Sequence, residues 1–360
     1  MPDGPDLSEV RREIDRIDGE LVKLLVKRLD AVAGVAAAKR ASGRPVNDPR
    51  REREILSRIG AEVPPEYESA AMLIFSTLFA VSKRRQREIF GAETENAPKD
   101  MKVAVVGLGL IGGSFEKAAK KAGYNVASLH HGDATGFEDA NLILVCLPPE
   151  AVVPWIRDRC SSFAEGAVVV DIAGVKGEIM SDVATVEKNG WTFVGGHPMA
   201  GREVSGYENS LADLFVGASM VLVPEEGKAC PERLKAFFRS LGFERVIETT
   251  AAKHDELIAY TSQLCHVIAT AYSRDSLMPE TSGFTAGSFA DMTRIATQNP
   301  AIWSELFLSN REPLISILDG FISRLGEFRD ALDRNDRAAI AGIIESGAEA
   351  KRGETCSDRT

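Results

Sequence analysis

Arg11, Arg28, Lys39 and Arg51 are the side chains of the N-terminal region whose type and spacing suit an anionic small molecule. Arg28 and Lys39 are eleven residues apart, close to three whole helical turns, so they share one helix face. Arg11 precedes Arg28 by seventeen residues, which turns it roughly 100° off that face. One site could hold Arg28 and Lys39, with Arg11 serving a different site, for instance in a partner chain. Asp48, Glu52, Ser82 and Gln86 are the polar side chains that accompany them. From periodicity alone the simpler reading is a solvated basic face on a dimeric helical bundle.

A second chemistry begins at Gly107-Leu-Gly109-Leu-Ile111-Gly112-Gly113. This turn follows a short apolar strand and opens a helix, the setting a dinucleotide fingerprint requires. Gly107 would make the tight turn, Gly109 would let the backbone approach the pyrophosphate, and Gly112 would allow close helix–strand packing. The helix N-terminus would supply the positive end for the phosphates. Ile111, His130 and Pro148 are the further expected cofactor contacts. At the end of the next strand an NAD site usually carries an acid. Here the run is Ser128-Leu129-His130-His131-Gly132-Asp133, with histidine in that place unless Asp133 reaches back. NAD and NADP both stay open, with NAD ahead.

A third group is more dispersed. His197 lies in Gly195-Gly196-His197-Pro198-Met199-Ala200-Gly201-Arg202-Glu203, after an expected strand end. Ser262 and His266 fall four apart on one helix face, followed by Asp291-Met-Thr-Arg294 and Trp303. A lone His beside Gly and Pro would be a turn residue, but this one has company. His254 and His266 stand about 120° apart on a helix, and no cluster has metal-ligand spacing, so no metal is expected.

The elements that must position these groups follow from pattern. Val10, Ile14, Ile17, Leu21, Leu24, Leu25, Leu29, Val32 and Val35 recur at helical spacing. With Ser8 as N-cap and a stop at Gly43 and Pro45, they predict a helix of about 33 residues, roughly 50 Å long. So long a helix cannot bury its apolar stripe inside one ninety-residue domain and needs a partner, most simply a second copy. A second helix should start at Asp48-Pro49 and run to about Ile59, and a third from Glu66 to Ile89. Strands are predicted at Met101–Val106, Val126–Leu129, Leu142–Cys146, Val168–Ile172, Thr192–Val194 and Met220–Val223, interleaved with helices as in a parallel α/β sheet. From about Ala251 the pattern is helical, with helices over Lys253–Ser273, Phe284–Ile295, Ala301–Asn335 and Ala338–Ala350. The expected fold class is thus multidomain α and α/β. It comprises a three-helix all-α domain (1–92), a linker (93–100), a Rossmann-like parallel α/β domain (101–248) and an all-α C-terminal domain (249–352).

Composition narrows the function classes. A net charge of −10 over 360 residues argues against nucleic acid as the main partner. No stretch is long and apolar enough for a membrane span, and MPDGPDLSEV lacks the apolar core of a secretory signal. Five scattered cysteines without a CxxC pair fit a reducing, cytoplasmic setting and read as packing residues.

Residues 7–90 resemble the all-helical chorismate mutase family, through VRREIDRIDGELVKLL, Lys27-Arg28, Lys39, RPVNDPRRERE, Ser82 and Gln86. That resemblance implies an interlocked dimer in which Arg11 enters the other subunit's site. It implies that Arg11, Arg28 and Arg51 grip carboxylates, that Lys39 and Gln86 donate to the ether oxygen of chorismate, and that Asp48 and Glu52 position the substrate. Residues 101–350 resemble the prephenate dehydrogenase family, through GGHPMAG, KHDELIAYTSQLCH and DMTRIA with the following Pro and Trp. By that resemblance His197 takes the ring-hydroxyl proton of prephenate as hydride leaves for the nicotinamide, and Arg294 binds a carboxylate. Glu203, Ser262, His266 and Trp303 shape the same pocket. The expected whole is a homodimeric enzyme of tyrosine biosynthesis acting on chorismate and prephenate with NAD or NADP.

There are departures. Gly174 stands where many relatives carry a serine in Asp-x-x-Ser-Val-Lys, and Ser-Gln-Leu-Cys-His replaces Ser-His-Leu-Pro-His. Nothing after residue 350 resembles a regulatory ACT domain. Arogenate stays open as a substrate. One alternative is an arogenate or cyclohexadienyl dehydrogenase whose helical N-terminus serves only dimerisation or sensing. Another is a β-hydroxyacid dehydrogenase, which would put a catalytic lysine in the helical domain.

Overall fold

The computed structural model describes residues 6–44, 46–92, 100–202 and 204–357. Pro45, Glu203 and all of the expected linker except Asp100 lie outside them. The chain divides into two compact units, Met1–Ala173 with Val183–Thr249, and Gly174–Asp182 with Thr250–Thr360.

The first unit opens with α1 (Leu7–Ala41), α2 (Pro49–Glu62) and α3 (Glu68–Ala92). Asp6, not Ser8, caps α1, its carboxylate accepting from the Ser8 amide at 3.0 Å. The carboxylate reaches a first-turn amide from one residue before the helix, as an N-cap must. Glu9 in the first turn and Lys39 and Arg40 in the last oppose the helix dipole. Asp48 caps α2 through the Arg51 amide (3.1 Å) with Pro49 first in the helix, as the sequence predicts. The third helix starts later than Glu66, because Pro65–Tyr67 first make a 3-10 turn. Val32, Ala36, Val46 and Phe79 are buried among these helices, but Ile14 is 51% and Leu24 61% exposed.

A seven-stranded sheet follows, in the order β2-β1-β3-β4-β5-β6-β7. Its strands are β1 (Lys102–Val106), β2 (Asn125–Leu129), β3 (Leu142–Val145), β4 (Val168–Asp171), β5 (Thr192–Pro198), β6 (Ser219–Pro224) and β7 (Arg245–Glu248). The intervening helices are α4 (Leu110–Lys121), α5 (Pro149–Arg159), α6 (Gly177–Val183) and α7 (Glu232–Ser240). Three sequence expectations need correction. The sheet is not wholly parallel, since β6 runs antiparallel to β5. The strand expected to end at Val194 continues through His197 and Pro198, because Gly195 to Pro198 pair with Met220 to Val223. And β7, not anticipated, pairs with β6. Phe115 of α4, Phe238 of α7, Phe215 and Phe243 pack against one another, some rings stacked and some edge-on, all buried.

In the second unit, α8 (Ala251–Ile258) runs through a π turn (Ala259–Gln263) into α9 (Leu264–Ser273). Then come α10 (Gly287–Thr293), a 3-10 turn at Arg294–Ala296, α11 (Pro300–Ser309), α12 (Arg311–Asp333) and α13 (Arg337–Ser357). The single helix expected over Ala301–Asn335 is broken at Asn310, and α10 is shorter than its predicted span. The Asp255 carboxylate receives the amides of Lys176 (2.9 Å) and Gly177 (2.7 Å), which ties residues 174–182 to α8.

Candidate active sites

The N-terminal helices bring most of the expected polar residues together. Arg28 on α1 donates to the Ser82 hydroxyl on α3, and Ser82 Oγ donates to the Leu78 carbonyl at 2.5 Å. One turn on, Gln86 is buried; its amide nitrogen lies 3.4 Å from the Ser82 carbonyl and its Oε1 has no partner. A buried amide left half-satisfied is costly unless a ligand completes it. Lys39 donates to the Val46 carbonyl (2.6 Å), which leans it toward the start of α2. Glu52 pairs with Lys83 at 3.1 Å. Lys83 was not among the expected site residues; its place beside Ser82 in Ser-Lys-Arg-Arg-Gln was the available signal. Arg51 is exposed and pairs with Glu54 at 3.3 Å. Arg11 is exposed on α1, about 25 Å along the helix from Arg28 at 1.5 Å per residue. It therefore cannot join Arg28 within one chain.

At the dinucleotide turn, geometry explains two glycines. Gly107 has φ +89°, and a Cβ there would lie 2.5 Å from the Cys146 carbonyl oxygen. A Cβ on Gly112 would collide with the Gly107 carbonyl. Gly109, by contrast, faces open space, as it should if a pyrophosphate is to approach. Gly109 caps α4 with no side chain, and the first turn holds no acid, so its amides and dipole are free for an anion. Ile111 sits in that first turn, and Pro148 caps α5 beyond β3. These residues fit a bound dinucleotide. At the end of β2 the Asp133 carboxylate turns back on its own loop and accepts from the His130 amide at 2.7 Å. Arg159 pins the same turn, donating to the carbonyl of Asp133 at 3.3 Å.

Behind α4, Glu116 is buried, yet its carboxyl is held below the usual range. Burial pushes it up, but hydrogen bonds from Lys120 (2.6 Å), Ser128 (2.6 Å) and Tyr207 outweigh that. The β5–β6 connection folds onto α4: the Leu211 amide donates to Ser114 Oγ (3.0 Å) and Lys117 to the Ser210 carbonyl (3.0 Å). That connection carries Arg202, which donates to the Asn209 carbonyl. Burial first, then the charge of Asp171, pushes the Cys146 thiol well above its ordinary range.

His197 sits in β5 opposite Val221, half-buried. The preceding Gly196 has no room for a side chain, since a Cβ would lie 2.7 Å from the Asp171 carbonyl oxygen. The imidazole is thus presented from a sheet strand and not from a loop. In the second unit, the His266 ring stands 3.6 Å from that of Trp303 and its Nδ1 lies 3.3 Å from the Ile295 carbonyl, next to exposed Arg294. Ser262 lies in the π turn, half-buried. Glu203 falls outside the described residues.

A fingerprint turn at the C-terminal edge of a mostly parallel sheet, with an imidazole two strands beyond Asp171's neighbour β3, defines a nicotinamide-dependent dehydrogenase class, here preceded by a helical domain of another kind. Three family models divide the chain. Residues 10–87 match chorismate mutase type II, residues 101–246 the nucleotide-binding domain of prephenate dehydrogenase, and residues 250–345 its dimerization domain. The chain belongs to the chorismate mutase and prephenate dehydrogenase families, joined in one polypeptide. The T-protein of Enterobacter agglomerans is 27% identical over 361 residues, 93% of this chain and 90% of that protein. The chorismate mutase of Methanocaldococcus jannaschii is 35% identical over 96 residues, 26% of this chain and 95% of that protein. Among solved structures, the prephenate dehydrogenase of A. aeolicus in complex with hydroxyphenyl propionate and NAD+ is 27% identical. It matches with a TM-score of 0.62, covering 71% of this chain and 98% of that one. No helix among the described residues is long and apolar enough to cross a membrane.

Proposed function

We infer that the chain rearranges chorismate to prephenate in its N-terminal helices and oxidatively decarboxylates prephenate to 4-hydroxyphenylpyruvate in the remainder. The observation that carries this reading is the presence of two unlike sites in one chain. One is a guanidinium–amide cluster around a buried, half-satisfied Gln86, and the other a glycine turn with a strand-borne His197.

The first reaction needs no nucleophile and no cofactor. Arg28 and Arg51 grip the carboxylates of the dianion, Lys39 and Gln86 donate to the ether oxygen as the C–O bond breaks, and Asp48, Glu52 and Ser82 orient the substrate and the cations. Arg11 comes from a second copy. Two features support a homodimer: the exposed apolar stripe of α1, and an apolar groove of about 1020 Å³ in the C-terminal unit, lined by Val267, Ala271, Phe289, Met292, Phe321 and Leu325 among others.

In the second reaction Gly107, Gly109, Ile111, Gly112, His130 and Pro148 hold the dinucleotide, which when bound supplies a hydride acceptor. His197, as neutral imidazole, takes the proton of the ring hydroxyl as hydride leaves the same carbon. The bond to the departing carboxylate then breaks, its electron pair aromatises the ring, and carbon dioxide leaves. Within the C-terminal unit Arg294 is assigned a substrate carboxylate, with Ser262, His266 and Trp303 as the neighbouring substrate contacts. For the cofactor we propose NAD, with the Asp133 carboxylate receiving the ribose hydroxyls and repelling a 2′-phosphate.

Purified protein incubated with chorismate, with and without NAD or NADP, tests the whole. Chorismate should disappear without cofactor, and reduced nicotinamide should appear only with it. Arg28→Ala should stop the first step alone and His197→Asn the second alone. Persistence of chorismate would sink the mutase assignment.

A further inference from the structure

The C-terminal unit contains a buried amide pair that the mechanism above does not use. Asn310 stands at the N-cap position of α12, where its side chain would ordinarily accept from a first-turn amide. It makes no such bond. Asn299 behaves as expected, capping α11 through the Ala301 (3.0 Å) and Ile302 (3.4 Å) amides, and Thr250 caps α8 through Lys253. Asn310 instead turns inward and is 2% exposed. Its Nδ2 donates to the Asp255 carbonyl (2.9 Å) and to Gln263 Oε1 (2.7 Å). Gln263 Nε2 in turn donates to the Leu306 carbonyl at 2.9 Å. Asn310 Oδ1 is buried without a partner. So a long helix gives up its cap, and the fold tolerates an unmade buried bond. Both destabilise, and such violations of local preference concentrate at sites kept for function.

What the pair holds is specific. Gln263 is the last residue of the π turn, a helical irregularity that widens the ladder by one residue and recurs at functional sites. Ser262 precedes it and His266 follows three residues on. Leu306, the acceptor, is three residues beyond Trp303 on the same helix, and the Trp303 ring lies 3.6 Å from that of His266, tilted by 36°. The two amides therefore connect the π turn to the helix that carries the opposing ring.

We propose that Gln263 and Asn310 are a positioning pair for the dehydrogenase: they hold the π turn and set Ser262 and His266 against Trp303, fixing the wall that receives the substrate. This rests on the assignment of those three residues to the substrate pocket. The simpler role is packing alone, and the two roles separate in kinetics.

Asn310→Leu, Gln263→Met and the double variant, in the full-length chain, would be assayed for prephenate oxidation, for mutase rate in the same preparation, and for Tm. Asn310→Leu should raise the KM for prephenate about tenfold with kcat within about twofold, as for loss of binding made equally in ground and transition state. The mutase rate should not change. The double variant removes the unmade bond and should recover Tm, while KM stays high because nothing pins the π turn. If KM returned to the wild-type value together with Tm, the pair would be packing only and the proposal would be overturned. Ser262→Ala and Trp303→Phe separate the other failure. If neither moved KM while Asn310→Leu did, the pocket assignment itself would fall, and the proposal with it. If both moved KM and Asn310→Leu did not, the pocket would stand and only the positioning role would be lost.

Discussion

The helices of residues 7–92 and the sheet of residues 102–248 solve the problem of holding a small anion in opposite ways. The sheet is complete in one chain. Its central strands are buried on both faces, Phe115, Phe215, Phe237 and Phe238 are wholly covered, and the cofactor turn is built from backbone pressed against backbone. The helices are not complete. Along α1 only Val32 and Ala36 are buried, while Val10, Ile14, Ile17, Leu21 and Leu24 are exposed. The candidate cluster there is made of long side chains around a half-satisfied Gln86, and Arg11 lies too far along α1 to join it within one chain. A rigid sheet can shape a phosphate cradle from glycines; a thin bundle leaves much of its apolar stripe uncovered.

The sharpest way to break that contrast is at Gly112. Gly112→Ala puts a methyl group into the Gly107 carbonyl, and dehydrogenase activity should fall by about a thousandfold as the phosphate cradle is lost. Mutase activity, measured as chorismate loss, should persist; joint loss would mean that the helices lean on the sheet. Next in size, Ile14→Glu places a charge on the exposed stripe. Sedimentation of the variant and its chorismate turnover should show the mutase reduced by about a hundredfold, as for loss of an interface anchor, with the dehydrogenase little changed. Full mutase activity in that variant would show that α1 does not need a second copy.

A smaller effect is expected at Asp133. Removing the carboxylate with Asp133→Ala should lower the preference for NAD over NADP by about tenfold in kcat/KM, the size of one lost hydrogen-bonded contact. An unchanged ratio would return the choice to His130. The smallest concerns Glu116. Its folded-state value lies below its unfolded one, so the ionised carboxylate favours the fold above the ordinary carboxylate range. That contribution is lost as pH falls through the folded-state value. Glu116→Gln should therefore cost about 1–2 kcal/mol near neutrality and flatten the acid limb of a Tm-against-pH curve. A parallel downward shift at every pH would remove Glu116 from that limb.

Much of this was legible in the sequence, and the reasons for the rest are local. The start of α2 and the end of α1 follow from Asp48, Pro49 and Gly43, whereas the cap of α1 falls on Asp6 and not on Ser8, two cap-forming residues so close that sequence alone does not choose between them. In the glycine turn, the tight turn expected of Gly107 and the close packing expected of Gly112 are visible as steric demands, whereas Gly109 meets open space. The extension of β5 through Gly195, Gly196, His197 and Pro198 is not legible in the sequence, since glycine and proline are poor strand formers and only pairing with β6 makes them one. Strand β7 is four residues long and mostly uncovered, so it carries no apolar signature. Asp133 depends on a turn that brings a side chain back by three residues, and the break at Asn310 on an amide that turns inward. Of the site residues, those on one helix pair are brought together visibly; Arg51 and Arg11 stay outside that cluster in a single chain.

The Asp255 carboxylate, which binds the amides of Lys176 and Gly177, has a consequence for how such a protein can be rearranged. The stretch from Gly174 to Asp182 belongs with the C-terminal helices although 67 residues of the other unit follow it, Val183 to Thr249. The C-terminal unit is therefore not one continuous cassette. A recombinant or a gene fusion that exchanged everything after residue 249 would leave that stretch without its acceptor. Any such exchange must carry Gly174 to Asp182 together with the C-terminal helices.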